Sequence, residues 1–291
     1  MRIVNFNKNG VATLGVRRGS EVVDLSLADK SLPRDLAGLL AAGKGALAKA
    51  KRAARNAPKR AVIKAPRGIL APIPNPGKII CVGLNYSDHA AEAGMTPPDT
   101  PILFLRVPGS VVGHGQRIIR PKASKHFDYE AEMVALIGRR GRNIPKSKAL
   151  NYVAGYSVAN EGSIRDYQML HGRGSQWTLG KNFDKTGAWG PDFVTADELP
   201  AGGKGLKIET RLNGQVLQSS TTSNMIFDTK SLVSWASRVM TLEPGDIILT
   251  GTPHGVGFVR KPPIFMKAGD SCEIEIEGIG LLRNPVGAEK R

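Results

Sequence analysis

The sequence predicts an α+β fold that is built mostly from β-strands, with a small α/β domain at its beginning. Three observations lead to this prediction. Short apolar and β-branched segments bounded by glycine and proline recur after residue 73, as is typical of strands. Only one long helical pattern, at 229–240, stands out among them. A proline-rich connector at 71–76 marks a boundary, so we expect a small domain at 1–72 and a larger one at 73–291.

The first domain is expected to begin with strands and to continue with helices. Turn signals at Asn9-Gly10 and Gly19-Ser20 separate its apolar segments, which predicts a meander of short strands. The predicted strands are 2–6, 13–17 and 21–24, and the predicted helices are 36–42 and 45–56.

The second domain is expected to consist of short strands joined by long loops. Each predicted strand is an apolar segment that ends at glycine, proline or polar turn residues. These strands are 78–82, 104–107, 129–137, 152–159, 207–212, 246–250 and 271–276.

Length and composition limit the class of protein. A chain of 291 residues can bury a substantial core. It has no apolar run long enough to cross a bilayer, and its first residues lack the apolar segment of a secretory signal, so we expect a cytoplasmic protein without a membrane partner. Two cysteines, Cys81 and Cys272, are too few for a disulfide framework.

The formal net charge of +16 raises the hypothesis of a nucleic-acid partner. Basic residues are concentrated in one stretch, Lys44, Lys49, Lys51, Arg52, Arg55, Lys59, Arg60 and Lys64. No nucleic-acid-binding motif accompanies them, and only 5% of residues are aromatic. We therefore interpret the stretch as a solvated helix face that also attracts anionic substrates, and we do not expect nucleic acid to bind.

A pair of carboxylates begins one of the predicted strands. Glu130 and Glu132 are two residues apart, so their side chains would lie on the same face of a strand. Neighbouring carboxylates repel each other in a dry interior, and an oxygen-ligated divalent cation allows both to stay ionised. The pair indicates a metal site, although an edge strand with its acids in water gives the same pattern.

Several blocks in order along the chain resemble the fumarylacetoacetate hydrolase family, especially its acylpyruvate and fumarylpyruvate hydrolases. The blocks are Asp128-Tyr129-Glu130-Ala131-Glu132 and the segments 83–92, 160–168, 176–184 and 250–257. The resemblance covers about residues 73 to 286. It implies a mixed β-sandwich roll and a homodimer formed mainly through the second domain.

The resemblance also implies a metal site and its ligands. Glu130, Glu132 and Glu161 occupy the positions that bind Mg²⁺ or Mn²⁺ in the family. Glu161 replaces the family's aspartate and is longer by one methylene, which favours Mn²⁺ over the geometrically stricter Mg²⁺. The cation would chelate the adjacent oxygens of a small anionic 2-oxo or diketo acid and stabilise enolate charge.

Catalytic and substrate-binding residues follow from the same blocks. His89 and Glu92 are spaced i, i+3, so the carboxylate can orient the imidazole as a general base, although this spacing is also common on solvated helices. Lys181 is expected to stabilise an anionic intermediate. The expected substrate-binding residues are Arg106, Arg165, Gln168 and Thr252. The remaining histidines have no convincing partner and receive no role; they are His114, His126, His171 and His254.

The function expected first is metal-dependent hydrolysis of a carbon-carbon bond in a β-diketo or acylpyruvate-type acid, as in the breakdown of aromatic compounds. The alternative on the same scaffold is decarboxylation or tautomerisation of a 2-oxo diacid, which needs the same chelation but no attack by water. A second alternative is a non-catalytic protein that binds nucleic acid or another partner.

Overall fold

The computed structural model describes residues 1–64, 66, 68–169 and 176–290. His171 lies outside this part of the chain. The predicted fold class is confirmed, because strands predominate in a mixed arrangement. The strands are β1 Arg2–Lys8, β2 Val11–Arg18, β3 Glu21–Asp24, β4 Val62–Ile63, β5 Ile79–Gly83, β6 Ile102–Arg106, β7 Val111–Val112, β8 Ile118–Arg120, β9 Phe127–Asp128, β10 Ala131–Ile137, β11 Val153–Asn160, β12 Ser163–Ile164, β13 Gly187–Thr195, β14 Lys207–Leu212, β15 Gln215–Thr221, β16 Ile247–Leu249, β17 Ser271–Ile276 and β18 Gly280–Ala288.

Helices are short and lie between or beside these strands. They are α1 Leu25–Ala28, α2 Leu36–Ala41, α3 Gly43–Arg55, α4 Ser87–Glu92, α5 Arg165–Gln168, α6 Trp177–Lys181 and α7 Thr229–Val239. Side chains cap several of them; Asp228 accepts a hydrogen bond from the Ser231 N–H at the start of α7. Among the described residues, none of the helices combines the length and the hydrophobicity needed to cross a membrane.

Two sheets form the body of the molecule. The large sheet has the strand order β4-β3-β2-β1-β13-β11-β10-β16-β5-β6, and β7 pairs with β13 beside this path. A five-stranded sheet, β15-β14-β17-β18-β8, packs against one face of the large sheet. One apolar core fills the space between the sheets, and a second lies between the opposite face of the large sheet and helices α1 to α3.

Alternation along β10 assigns its side chains to these two cores. Met133 and Ala135 point into the core between the sheets, whereas Val134 and Leu136 point into the other. Because side chains alternate along a strand, Glu130 and Glu132 share the face of Val134. The predicted common face of the two carboxylates is therefore confirmed.

The predicted boundary near residue 72 does not interrupt the large sheet. Strand β1 pairs antiparallel with β13, with Ile3 opposite Phe193. The Arg17 guanidinium also donates two hydrogen bonds, each of 2.7 Å, to the carboxylate of Asp192. The small first domain thus shares a sheet with the second, and its independence as a folding unit stays a prediction.

The predicted strands and helices agree with the structure to within about two residues, but some strands lack a recognisable pattern. Strand β13 contains two glycines and a proline, Gly187, Gly190 and Pro191, yet it is buried in the centre of the large sheet. Strands β15 and β18 carry polar residues on the face away from the core. These segments form strands because of the tertiary contacts that they make in the sheets, and local sequence propensity does not indicate such contacts.

Candidate active site

A small cavity opens where the strands β5, β10 and β11 end. Its volume is about 40 Å³, and a single water needs roughly 10–15 Å³ on the same measure. The lining residues come from strands, helices and loops and are Val82, Gly83, Leu84, His89, Phe104, Glu130, Glu132, Glu161, Arg165, Gln168, Trp177, Lys181 and Thr252. The structure thereby brings together all of the predicted catalytic, metal and substrate residues except Glu92 and Arg106.

Strand pairing places the three predicted metal ligands side by side. The Glu161 N–H donates to the Glu130 carbonyl at 2.9 Å, which extends the β10–β11 ladder by one step. One ligand atom from each of Glu130, Glu132 and Glu161 lies within 4.8 Å of the others, and all three residues are buried. The Gly251 N–H donates to Glu132 Oε2 at 2.7 Å and fixes that carboxylate.

Two buried, positively charged side chains contact these carboxylates. Lys181 Nζ donates to Glu130 Oε2 at 2.6 Å and to Glu161 Oε2 at 3.0 Å. Arg165 Nε donates to Asp128 Oδ2 at 2.8 Å, and its Nη2 lies 2.7 Å from Glu130 Oε1 in an ionic contact that is not aligned as a hydrogen bond. Lys181 and Arg165 therefore bridge the carboxylates rather than pair with one each.

The pKa values of Glu130 and Glu132 move in opposite directions. Burial raises the pKa of both carboxyls, but for Glu130 the charges of Lys181 and Arg165 outweigh burial and lower its pKa to about 2. Burial, followed by the charges of Glu161 and Glu130, raises the pKa of Glu132 well above its ordinary value. Glu132 is the carboxyl that most needs a further positive charge.

The donor set fits a hard divalent cation. Asp128 and the three glutamates carry four negative charges when ionised, and Lys181 and Arg165 supply two positive charges, so two negative charges remain. Glu161 Oε1 is buried and has no hydrogen-bond partner among the described residues. Oxygen-only donors with an unpaired buried carboxylate atom suit Mg²⁺ or Mn²⁺.

An aromatic wall covers one side of the cavity. The ring of Trp177 packs edge-on against Phe104 with centroids 5.0 Å apart, and Lys181 Nζ lies 5.5 Å from the centre of the Phe104 ring. Trp177 also lies directly on the backbone of Gly83, where a Cβ atom would come within 1.9 Å of the indole. Glycine at position 83 is therefore required for the wall, which shields the charged cluster from water.

The predicted base lies on α4 and lines the cavity. His89 is largely buried, and its Nδ1 is 3.7 Å from Glu92 Oε2, which is too long for a hydrogen bond. Both oxygens of Glu92 instead accept from the Gly255 N–H, at 3.1 and 2.9 Å. With Nδ1 directed toward Glu92, Nε2 on the other side of the imidazole is left for a ligand. Burial lowers the pKa of His89 below its ordinary value of 6.5.

Two neutral side chains are placed to donate to a ligand. Thr252 Oγ1 accepts from Gln218 Nε2 at 2.9 Å, which leaves the hydroxyl hydrogen of Thr252 for another acceptor. Gln168 Oε1 accepts from Arg165 Nη1 at 3.0 Å, so its amide nitrogen remains as a donor.

Arg106 lies outside the cavity. Its guanidinium is buried and donates to Ser110 Oγ, Ser110 O, Gly162 O and Thr186 Oγ1 at 3.0 to 3.3 Å. These bonds tie β6 to the segment after Glu161. Four hydrogen bonds from its guanidinium already go to protein oxygens, so a role of Arg106 in substrate binding stays a prediction that its contacts do not favour.

Some residues of the site received no role from the sequence. Asp128 belongs to a family block, and it accepts from the N–H groups of Gly257 and Phe258 as well as from Arg165. Gln218 lies outside every block; its Oε1 accepts from the Ala131 N–H at 2.9 Å, between the two glutamates of β10. Nothing in the local sequence indicates that Gln218 reaches this strand.

Comparison with known proteins agrees with this fold. The family described as "Fumarylacetoacetate (FAA) hydrolase C-terminal" matches residues 78–287. The chain is therefore a member of the fumarylacetoacetate hydrolase family, as the sequence predicts, and this is a family of enzymes.

Relatives and solved structures cover nearly the whole chain. It is 45% identical over 268 residues to oxaloacetate tautomerase Fahd2a, mitochondrial, of Rattus norvegicus, covering 92% of this chain and 84% of that protein. It is also 42% identical to oxaloacetate tautomerase fahd2, mitochondrial, of Xenopus laevis, covering 98% of this chain and 90% of that protein. Fumarylacetoacetate hydrolase from Exiguobacterium antarcticum has a TM-score of 0.86 at 35% identity, covering 99% of this chain and 100% of that one.

Two predictions are wrong in the light of these comparisons. The relatives are named oxaloacetate tautomerases, which contradicts hydrolysis of a carbon-carbon bond as the main function and leaves aromatic breakdown without support. The blocks that suggested hydrolysis contain the residues predicted to hold the metal and to act as the base, and both reactions would use these groups. The relatives are also named mitochondrial, which contradicts the cytoplasmic prediction.

Metal affinity is expected to depend on Glu161. We predict that Glu161→Ala weakens binding of Mn²⁺ and Mg²⁺ by at least tenfold, whereas Glu161→Asp binds at least comparably to the wild type, because one carboxylate oxygen is retained. Isothermal titration calorimetry measures both. Glu198→Ala, a change at an exposed glutamate, is the control. Equal affinity of wild type and Glu161→Ala would remove Glu161 from the site.

Proposed function

We propose that the protein is a divalent-metal-dependent tautomerase of a small 2-oxo dicarboxylic acid, with oxaloacetate as the first candidate. One observation carries the proposal: the carboxylate triad Glu130, Glu132 and Glu161 and the imidazole of His89 line the same small cavity. The names of the relatives, which are 40 to 45% identical over at least 92% of this chain, support the choice of substrate.

Substrate binding would use the metal and the neutral donors together. The triad would hold Mg²⁺ or Mn²⁺, and the ion supplies Lewis-acid stabilisation of negative charge on the substrate's 2-oxo and carboxylate oxygens. Thr252 and Gln168 would donate to the remaining carboxylate oxygens. The longer side chain of Glu161 favours Mn²⁺, whose geometric demands are less strict than those of Mg²⁺.

Tautomerisation requires one proton to move between carbon 3 and the 2-oxygen. In the enol-to-keto direction the hydroxyl loses its proton and carbon 3 gains one. The neutral imidazole of His89, with Nε2 available to the cavity, would accept the hydroxyl proton and then, as imidazolium, donate a proton to carbon 3, which returns it to the neutral form; the keto-to-enol direction reverses these two steps. Lys181 would remain protonated between Glu130 and Glu161, and its ammonium would stabilise the anionic oxygen during the transfer. The carboxylate of Glu92 would favour the imidazolium form of His89.

The direct test follows the enol and keto forms of oxaloacetate separately. We expect the protein to accelerate their interconversion in the presence of Mn²⁺ or Mg²⁺ and to lose this activity on chelation. Ultraviolet absorbance of the enol reports tautomerisation, and a coupled assay of carbon dioxide release reports decarboxylation, the competing reaction on the same scaffold. Rapid release of carbon dioxide without faster interconversion of the enol and keto forms would show that the protein is a decarboxylase and not a tautomerase. Full activity in metal-free protein would refute the metal-dependent mechanism.

His89 is expected to control the rate and its pH dependence. We predict that His89→Ala lowers kcat by roughly 10²- to 10⁴-fold, the usual contribution of a general acid-base group, with metal affinity unchanged. Because burial lowers the pKa of His89, the neutral imidazole is present at pH 7 and is lost as the pH falls below that pKa, so kcat/KM should decline only below about pH 6.5.

Glu92→Gln provides the second half of this test. The charge of Glu92 raises the pKa of His89, so its removal should move the decline in kcat/KM to lower pH. A pH profile that is the same in Glu92→Gln and wild type, or near-wild-type kcat in His89→Ala, would exclude His89 as the proton carrier.

A homodimer formed mainly through the second domain is part of the proposal. Leu105 and Val107, on and next to the edge strand β6, and Leu179 on α6 are about half exposed. The Asn182 side chain already bonds Leu105 O and the Val107 N–H, so a partner would cover the apolar side chains rather than extend the sheet. Light scattering at micromolar concentration should give twice 31.1 kDa, and Leu179→Asp should lower this mass. A wild-type mass of 31.1 kDa would contradict the dimer.

A further inference from the structure

Helix α4, which carries His89, is attached to the segment 250–257 at two points. Asp88 and Glu92 are four residues apart and lie on the same face of the helix. Asp88 Oδ2 lies 3.1 Å from Nδ1 of His254, and Glu92 accepts from the N–H of Gly255. We call this set of four residues, Asp88, Glu92, His254 and Gly255, the latch.

The Asp88 carboxylate is the centre of a larger hydrogen-bond network. Ser220 Oγ donates to Asp88 Oδ2, and Asn224 Nδ2 donates to the same oxygen at 3.0 Å. Burial raises the pKa of Asp88, but the hydrogen bonds from Ser220, Asn224 and His254 outweigh burial and lower it below its ordinary value. The carboxylate is therefore ionised at neutral pH and accepts from three side chains that belong to other elements.

The backbone at Gly255 fits only glycine. Its φ is +92°, and a Cβ atom there would lie 2.3 Å from the carbonyl oxygen of Leu217. This conformation directs the Gly255 N–H at Glu92 and so fixes the position of the second attachment. The latch thus depends on a specific backbone geometry and not on side-chain contacts alone.

Tyr86, the residue before α4, is fully buried, but within the helix itself apolar packing is small. The helix has six residues, and Ala90 is its one buried residue. Its entry is fixed by Asn85, whose amide donates to Phe227 O and Thr250 O. With so small an apolar contact, the remainder of the helix is held mainly by polar bonds, and segments of this kind open most readily.

We propose that the latch sets the position of His89 over the cavity and that Asp88 and His254 are positioning residues for the reaction. The inference rests on the proposed function, in which His89 transfers the proton. The proposal also concerns Thr252, because Thr252 lies in the segment 250–257 to which α4 is attached and also lines the cavity. Gln218 Nε2 donates to both Thr252 Oγ1 and Pro253 O at 2.9 Å and so helps to hold the segment 250–257 in place. The contact of Thr252 with substrate and the position of His89 would therefore both depend on this segment.

Kinetics of four variants test the role in catalysis. His254→Ala removes the contact with Asp88, whereas His254→Asn places an amide donor near the former position of Nδ1. Ser220→Ala removes a bond to Asp88, and Ser219→Ala is its matched control, because Ser219 bonds Glu209 instead. We expect kcat to fall about 10- to 100-fold in His254→Ala and less in Ser220→Ala, as for a misplaced catalytic group, with KM and metal affinity within about twofold of wild type. His254→Asn should recover most of the loss, and Ser219→Ala should match the wild type.

Hydrogen exchange measured by mass spectrometry tests the latch independently of activity. Peptides that cover residues 86–93 should exchange faster in His254→Ala than in wild type and His254→Asn, while peptides of β10 and β11 stay unchanged. Unchanged exchange at 86–93, wild-type kcat in His254→Ala, or faster exchange throughout the molecule would each overturn the latch. If the wild type proves inactive on every 2-oxo diacid, the proposed function fails, and the exchange comparison still decides whether the latch holds α4.

Discussion

The burial of four carboxylates, three of them where β10 begins and β11 ends and the fourth, Asp128, on the short strand β9, is the constraint on which the rest of this structure depends. An isolated buried charge costs several kcal/mol, so each carboxylate needs a cation or a donor. Lys181 and Arg165 meet half of this requirement, and the N–H groups of Gly251, Gly257 and Phe258 meet another part. The remaining negative charge suits a divalent cation, and through such a cation the cluster would bind a chelating acid, as we propose.

The fold satisfies this constraint through register and close backbone approach. Antiparallel pairing of β10 with β11 brings Glu161 beside Glu130, although the two residues are 31 positions apart in the sequence. The loops then supply donors at short range. At Gly257 a Cβ atom would lie 2.5 Å from Asp128 Oδ1, so only glycine lets that backbone reach the carboxylate. The charged cluster therefore depends on positions that carry no functional side chain of their own.

The part of this arrangement that is local in sequence could be predicted, and the part that depends on tertiary register could not. The shared face of Glu130 and Glu132 follows from strand periodicity, and the i, i+3 pair His89 and Glu92 follows from a helical turn. Gln218 bonds the Ala131 N–H, which is 87 positions away in the sequence, and His254 contacts Asp88, which is 166 positions away. No sequence pattern around Gln218 or His254 indicates these contacts. The type of reaction was predicted wrongly for a related reason: hydrolysis and tautomerisation of 2-oxo acids need the same ligands and base, and the blocks that identify the family contain only those.

The proposed function requires that Glu130, Glu132 and Glu161 together bind one divalent cation. Anomalous X-ray diffraction from crystals soaked in Mn²⁺ tests it most directly, because the manganese signal locates the ion without any assumption about activity. We predict one strong anomalous peak with an oxygen of each of the three glutamates at about 2.0–2.6 Å. A map at saturating Mn²⁺ with no peak among these carboxylates, or with its strongest peak elsewhere, would contradict it.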